Sequence, residues 1–193
     1  MISDQEELLP PYDGIKLSEV RMVKSDRDAA EALAALSASD VLGFDTESKP
    51  TFLKGEVSTG PHLVQLATDD AAYLFQIGAA PAVEVLKAVL ESDAILKVGF
   101  GLSDDIKRLR IKLGIDAANV LDLSTALRKG ERNTLGAKTA VARYFGQKLQ
   151  KSKKITTTNW ALPRLSDKQI LYAADDAHVA LRIYRHWRAL PAA

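Results

Sequence analysis

The stretch VLGFDTE at Val41–Glu47 decides how the rest of the chain is interpreted, because it joins an apolar run to two acids. Asp45 and Glu47 are two residues apart, and alternate side chains of a strand point to the same face of a sheet. A strand that continued to Glu47 would hold two carboxylates side by side, which requires a nearby cation because buried like charges are costly. A strand that ended at Phe44 would leave both acids in an exposed turn. The stretch by itself leaves both interpretations open.

Outward from this stretch, the sequence predicts one α/β domain with a mixed central sheet flanked by helices. We expect a flexible lead-in over residues 1–18 and the domain over residues 19–190 of the 193-residue chain. Ser25 and Asp28 form a capping-box pattern that begins a helix. The predicted strands are residues 19–25, 41–47, 62–68, 72–77, 94–100 and 119–123, with an antiparallel hairpin formed by the third and fourth. The predicted helices are residues 25–36, 81–91, 102–113, 135–145 and 166–188.

A second pair of acids, Asp104 and Asp105, lies on a predicted helix. Helical spacing puts Asp105 on the apolar stripe of that helix. Asp104 is instead spaced for surface ion pairs with Lys107 and Arg108. Asp105 is therefore the candidate functional acid, with a helix N-cap as its alternative role.

A third pair, Asp175 and Asp176, repeats this pattern on the last predicted helix. Asp176 follows Tyr172 by four residues, so the two side chains are neighbours on one arc, while Asp175 falls on the polar arc of His178. A tyrosine beside an acid on a buried arc is either part of a site or a satisfied core hydrogen bond. The pattern leaves both alternatives open.

Four acids are thus predicted to point inward: Asp45, Glu47, Asp105 and Asp176. The chain has no cysteine and three histidines, so thiolate chemistry is excluded and a histidine-rich metal centre is disfavoured. Carboxylate oxygens suit hard cations such as Mg²⁺ or Mn²⁺ better than zinc. Two such ions about 3.5–4 Å apart stabilise the attacking and leaving oxygens of a phosphoryl displacement. We therefore expect two divalent cations.

The charges are unevenly distributed, although the formal net charge is only +1. Residues 128–154 contain nine basic residues and one acid. Such a run is either a solvated surface or a polyanion-binding surface, and composition does not distinguish the two. The start of the chain is acidic and contains two prolines, and no apolar run is long enough to span a bilayer. We expect a soluble, cytoplasmic protein without a membrane partner.

Three motifs resemble those of a known family: FDTE at residues 44–47, KVGFGLSDD at residues 97–105 and YAADD at residues 172–176. They occur in the order found in the DEDD exonucleases, which include ribonuclease D and the Werner syndrome exonuclease domain. Tyr172 matches the tyrosine subtype, and Leu171 stands where the related subtype carries histidine. The resemblance implies a ribonuclease H-like fold and hydrolysis of DNA or RNA from the 3′ end, with release of 5′-mononucleotides.

The resemblance also implies roles for the matched residues. Asp45, Glu47 and Asp176 would hold the first metal ion. Asp45 would bridge to the second ion, and Asp105 would reach that ion through water. Tyr172 and Glu47 would orient the attacking water, since a phenol with a pKa near 10 positions a water more readily than it deprotonates one.

Further residues are candidates for substrate binding. Thr46 would offer backbone contacts, and Phe52 and Leu53 either pack on the terminal base or lie in the core. The basic segment supplies three candidates for phosphate contacts: Lys151, Lys153 and Lys154.

The chain ends soon after the third motif, so we expect substrate grip to come from the domain itself, from a homo-oligomer or from a protein partner. Two rival functions remain at this point. They are a nucleic-acid-binding module without catalysis and a hydrolase of free nucleotides.

Overall fold

The computed structural model describes residues 8–78, 82–128 and 133–191. Its strands are β1 (Val20–Met22), β2 (Val41–Glu47), β3 (Leu63–Ala67), β4 (Ala72–Gln76), β5 (Leu96–Gly99) and β6 (Val120–Asp122). Its helices are α1 (Asp26–Ser37), α2 (Ala82–Leu90), α3 (Ser103–Leu113), α4 (Leu123–Ala126), α5 (Ala137–Phe145), α6 (Lys153–Thr156) and α7 (Asp167–Ala189), and a 3₁₀ turn at Leu17–Glu19 precedes β1. The predicted elements are present, with boundaries that differ by a few residues.

The strands form one six-stranded sheet in the order β1-β4-β3-β2-β5-β6. β2 is central, pairing antiparallel with β3 and parallel with β5, and β3 and β4 form the predicted antiparallel hairpin. Helices cover both faces of the sheet, so the predicted α/β class with a mixed sheet is confirmed.

The two faces of β2 are buried by different helices. Phe44 is fully buried in a core built with α1 and α2. On the opposite face, a side chain at Gly43 would collide with the backbone carbonyl of Ala177 in α7. The glycine therefore allows α7 to pack directly against β2, which brings the acids of both elements together.

β2 continues through Asp45 to Glu47, so the alternative in which the strand ends at Phe44 is wrong. Asp45 and Glu47 remain in register with Gln65 and Leu63 of β3. This antiparallel pairing fixes both acids on the face that α7 covers.

Capping boxes begin α1 and α7, and the sequence predicts the one at α1. The Ser25 hydroxyl accepts a hydrogen bond from the Asp28 N–H at 3.2 Å, and the Asp28 carboxylate accepts one from the Ser25 N–H at 2.9 Å. Ser166 and Gln169 form the same reciprocal arrangement at the start of α7. These caps satisfy N–H groups that have no partner within a helix.

Residues 10–15 differ from the expected flexible lead-in. Pro11 bridges to Lys148, and the Tyr12 N–H donates to the Lys148 carbonyl at 2.9 Å. The Ile15 N–H donates to the Asp175 carboxylate at 3.2 Å, and both Tyr12 and Ile15 are buried. Backbone pairing and two apolar anchors attach this segment to the domain.

Other positions used in the predictions lie outside the described residues: residues 1–7, Pro81, Lys129, Glu131 and Arg132.

Candidate active site

Three of the predicted acids meet between β2 and α7. Asp45 and Glu47 project from β2, and Asp176 projects from the α7 surface that packs on it. Glu47 and Asp176 are 9% and 8% exposed, so their carboxylates are largely withdrawn from water. A helix laid across a strand that carries alternate acids therefore concentrates negative charge in a desolvated site.

This concentration of charge changes the pKa values of the acids. Burial, followed by repulsion from Asp176 and Asp105, raises the pKa of Asp45 well above its ordinary value. Burial and repulsion from Asp45 and Asp176 raise the pKa of Glu47 to about 9. Burial also raises the pKa of Asp176. Each shift indicates a site in which negative charge requires a compensating cation.

Asp105 joins the cluster from α3 and is held by Thr46. The Thr46 hydroxyl donates to the Asp105 carboxylate, and the Thr46 N–H donates to the Asp45 carboxylate at 2.8 Å. Burial raises the pKa of Asp105, and the hydrogen bond from Thr46 opposes that shift. Asp105 lies inside α3, whose N-cap is Leu102, so its alternative role as an N-cap is wrong. Its neighbour Asp104 is exposed, as the helical spacing predicts.

Tyr172 lies beside Asp176 with its hydroxyl at the site. The phenol oxygen is 2.8 Å from the Thr156 hydroxyl oxygen, and the ring packs against Trp160 with a centroid distance of 6.0 Å. Burial and the charge of Asp176 raise the pKa of Tyr172 to about 12. The phenol is therefore neutral at physiological pH and suited to hydrogen bonding rather than to proton abstraction.

Lys151 carries a positive charge into the same cluster. Its ammonium nitrogen is 2.9 Å from a carboxylate oxygen of Asp176 and 5.8 Å from the centroid of the Tyr172 ring. Burial lowers the pKa of Lys151, but attraction to Asp176 and Asp45 outweighs burial, and the net pKa is raised. Lys151 therefore remains charged among the acids.

The donor set fits hard divalent cations, because four carboxylates supply oxygen ligands in a site short of positive charge. As the side chains stand, no three acidic or histidine side chains within the described residues enclose a metal position. Three of the four carboxylates have protein donors: Asp176 is bound by Lys151, Asp105 by the Thr46 hydroxyl and Asp45 by the Thr46 N–H. Metal binding at these residues would therefore require some of these side chains to shift.

The other predicted substrate-binding residues differ in exposure. Phe52 and Leu53 are 79% and 76% exposed in the loop after β2, so their alternative role in the core is wrong. Lys153 and Lys154 are exposed at the start of α6. Lys151 differs from these two lysines because it points at the acids.

The sequence interpretation missed one residue of the site, Gln65, and one structural contact next to it, that of Asp175. Gln65 is fully buried on β3 directly opposite Asp45, and neither polar atom of its side chain has a partner within the described residues. The signal was present in HLVQLAT, where one amide interrupts an apolar strand. Asp175 was expected on a merely polar arc but binds the Ile15 N–H, a contact between distant parts of the chain.

Comparisons with known proteins agree with this site. A family model described as 3′-5′ exonuclease matches residues 20–189. The chain therefore belongs to the 3′-5′ exonuclease family, and its fold and motifs are those of the tyrosine subtype of the DEDD superfamily. The membership confirms the predicted enzyme class.

Two curated relatives illustrate the similarity. The chain is 30% identical over 153 residues to the mouse bifunctional 3′-5′ exonuclease/ATP-dependent helicase WRN, covering 78% of this chain and 11% of that protein. It is 28% identical over 156 residues to a 3′-5′ exonuclease of Arabidopsis thaliana, covering 78% of this chain and 53% of that protein. The chain thus spans about half or less of the length of these relatives.

Solved structures show the same fold. The exonuclease domain of Aedes aegypti Nibbler superposes with a TM-score of 0.77 at 27% identity, covering 91% of this chain and 90% of that domain. Escherichia coli RNase D superposes with a TM-score of 0.73 at 23% identity, covering 88% of this chain and 45% of that one.

None of the helices in the described residues has the length and apolar character needed to span a membrane.

Proposed function

We propose that this chain is a metal-dependent nuclease that removes nucleotides from the 3′ end of DNA or RNA and releases 5′-mononucleotides. The observation that carries the proposal is the convergence of Asp45, Glu47 and Asp176 in one desolvated cluster, which raises the pKa of each carboxyl and would favour binding of a cation by the ionised forms. Family membership supports nucleic acid as the substrate class.

The four carboxylates are the proposed ligands of the cations. Asp45, Glu47 and Asp176 would hold the first cation, and Asp45 and Asp105 would serve the second. Two divalent cations bound there would stabilise the negative charge that develops on the attacking and leaving oxygens of the phosphodiester.

The protein groups orient the reactants. Glu47 accepts a hydrogen bond from the attacking water, and the Tyr172 hydroxyl fixes that water's position. Because the pKa of Tyr172 is about 12, its role is to position the water and not to remove its proton. The contact between the Tyr172 and Thr156 hydroxyls holds the phenol in place before substrate arrives.

The surface around the cluster suits an extended strand. Phe52 and Leu53 expose apolar side chains beside the end of β2, where the 3′-terminal base would stack. The exposed ammonium groups of Lys153 and Lys154 would contact phosphates, and the Thr46 backbone would lie beside the terminal nucleotide. Such contacts favour sugar and phosphate over base edges, as a nuclease that passes along any sequence requires.

The test is a time course on 5′-labelled DNA and RNA oligonucleotides with Mg²⁺, with Mn²⁺ and with chelator. We expect a ladder that shortens from the 3′ end only when a divalent cation is present. Asp45→Asn should reduce the rate by roughly a thousandfold, since a ligand to a catalytic metal contributes several kcal/mol of transition-state stabilisation.

Asp104→Asn is the matched control, because Asp104 is exposed and adjacent in sequence to Asp105. It should leave the rate close to that of the wild type. An oligonucleotide with a blocked 3′ end should persist. Release of phosphate from nucleoside triphosphates without shortening of either polymer would contradict the proposal.

A further inference from the structure

Lys151 is not placed like a surface lysine that binds substrate, because its side chain is directed toward the acid cluster. It precedes α6, and its side chain points away from the exposed Lys153 and Lys154 toward α7. Its side chain is 29% exposed, whereas that of its partner Asp176 is 6% exposed. The ion pair is therefore formed at the edge of the desolvated cluster.

The charge of Lys151 acts on more than one acid. It opposes the raised pKa values of Asp45, Glu47 and Asp176. An ammonium group at this position thus does part of what a divalent cation would do, because it supplies positive charge to the same carboxylates.

Lys151 and a cation compete for the same oxygen atoms. A carboxylate oxygen of Asp176 that accepts a hydrogen bond at 2.9 Å from the ammonium group has lost that direction for a metal ion. A second positive charge a few Å away would also repel the ammonium group. Binding of a cation therefore displaces Lys151 or must overcome its charge.

The structure provides space for such a displacement. Lys151 lines a cavity of about 290 Å³ together with Asp175, Asp176, Lys168 and Tyr172. The flexible four-carbon chain of a lysine can reorient into this space without a change in the backbone.

We propose that Lys151 is a resident counter-ion that holds the acid cluster together in the absence of metal and yields Asp176 when a divalent cation binds. This inference rests on the proposed function, since it requires that the acids bind metal. In this role Lys151 is a positioning residue. Its released ammonium group becomes available to the substrate phosphates, so binding of metal and substrate should favour each other.

Calorimetric titration with Mn²⁺ at pH 8, without substrate, tests the competition directly. Lys151→Met should bind Mn²⁺ roughly tenfold more tightly than the wild type, a coupling within the usual range for two interacting sites. Lys151→Arg keeps the charge and should bind like the wild type. Lys153→Met removes an exposed lysine two residues away and should have no effect.

Thermal melting measures the same competition without a calorimetric titration of metal. In chelator, Lys151→Met should melt at a lower temperature than the wild type, and Mn²⁺ should raise its melting temperature by a larger amount. If Lys151→Met does not fold without metal, Lys151→Gln replaces it, because the amide can still donate to Asp176 but carries no charge. The glutamine variant should also bind Mn²⁺ more tightly.

The outcomes distinguish the two proposals. Equal Mn²⁺ affinities for the wild type and the uncharged variants would overturn the counter-ion role while leaving the proposed function intact. Failure of the wild type to bind Mn²⁺ or Mg²⁺ at all would overturn the metal site and the counter-ion role together.

Discussion

Lys97 and Lys151 are both withdrawn from solvent, on opposite faces of the sheet. Lys97 is fully buried in β5, beside Leu42 of β2, and its ammonium group donates to the Ser92 carbonyl at 2.7 Å. Burial lowers the pKa of Lys97 to about 8. Lys151 is bound to Asp176 among several acids, and its pKa is raised.

The two lysines show that local charge, and not burial alone, decides the state of a titratable group. One carbonyl oxygen does not offset the cost of removing the Lys97 ammonium group from water. Around Lys151, attraction to the acids is larger than that cost. We therefore expect changes near Lys151 to alter catalysis and changes at Lys97 to alter stability.

Tyr172→Phe should have the largest effect of the changes that test this contrast. The substitution removes the hydroxyl that bonds Thr156 at 2.8 Å and keeps the ring that packs on Trp160. Turnover should fall by roughly tenfold to a hundredfold, at or below the lower end of the range for a general acid or base, because the phenol positions the water and does not remove its proton. Single-turnover rates and thermal melts on the same preparation measure the two effects separately.

The melting temperature of Tyr172→Phe should stay within a few degrees of that of the wild type. A large loss of stability with little loss of turnover would return Tyr172 to the role of a core residue. The surroundings of Lys151 would then be structural, like those of Lys97.

Lys97→Met should change stability and leave hydrolysis intact. Exchange of a buried ammonium group for an apolar side chain of similar length should stabilise the protein at pH 7 by about 1–2 kcal/mol. Because the folded-state pKa of Lys97 is about 8, below the ordinary value of 10.5, the unfolded chain binds more protons between these two pH values. The wild type should therefore gain stability relative to Lys97→Met as pH rises from about 8 to 10.

Denaturant unfolding of both proteins at pH 7 and pH 10 measures this difference. A difference that does not change with pH would mean that folding does not lower the pKa of Lys97. That result would weaken the contrast between the two lysines.

Local patterns in the sequence predicted the part of the site that depends on short spacings. Asp45 and Glu47 share a face because β2 is a strand, and Tyr172 and Asp176 share an arc because α7 is a helix. Asp105 was separated from Asp104 by the same argument. Periodicity of 2 or 3.6 residues is a property of a single element, so one sequence suffices to detect it.

Contacts between distant segments could not be predicted in this way. Lys151 stands three residues before Lys154 in one basic run, and composition gives no reason for it to point inward while Lys154 stays exposed. The attachment of Ile15 to Asp175 spans 160 residues and depends on where α7 lies. Such contacts follow from tertiary packing, which a linear pattern does not encode.

Asp175 provides the smallest test, because it lies next to Asp176 in sequence but faces the Ile15 N–H. Burial raises the pKa of Asp175 to about 6, so between pH 4 and pH 6 the folded protein binds more protons than the unfolded chain, and stability falls as pH rises through this range. Asp175→Asn keeps an acceptor and removes the charge, and should be more stable than the wild type by about 1 kcal/mol at pH 7.5 in chelator, after allowance for partial exposure. At pH 5 this advantage should shrink.

Asp175→Ala is the paired variant, since it leaves the Ile15 N–H without its acceptor and should be about 1 kcal/mol less stable than Asp175→Asn at either pH. Both variants should retain most of the hydrolytic activity, because the carboxylate that belongs to the cluster is that of Asp176. Loss of hydrolysis in Asp175→Asn with unchanged stability would show that Asp175 is itself a catalytic acid, contrary to the helix geometry.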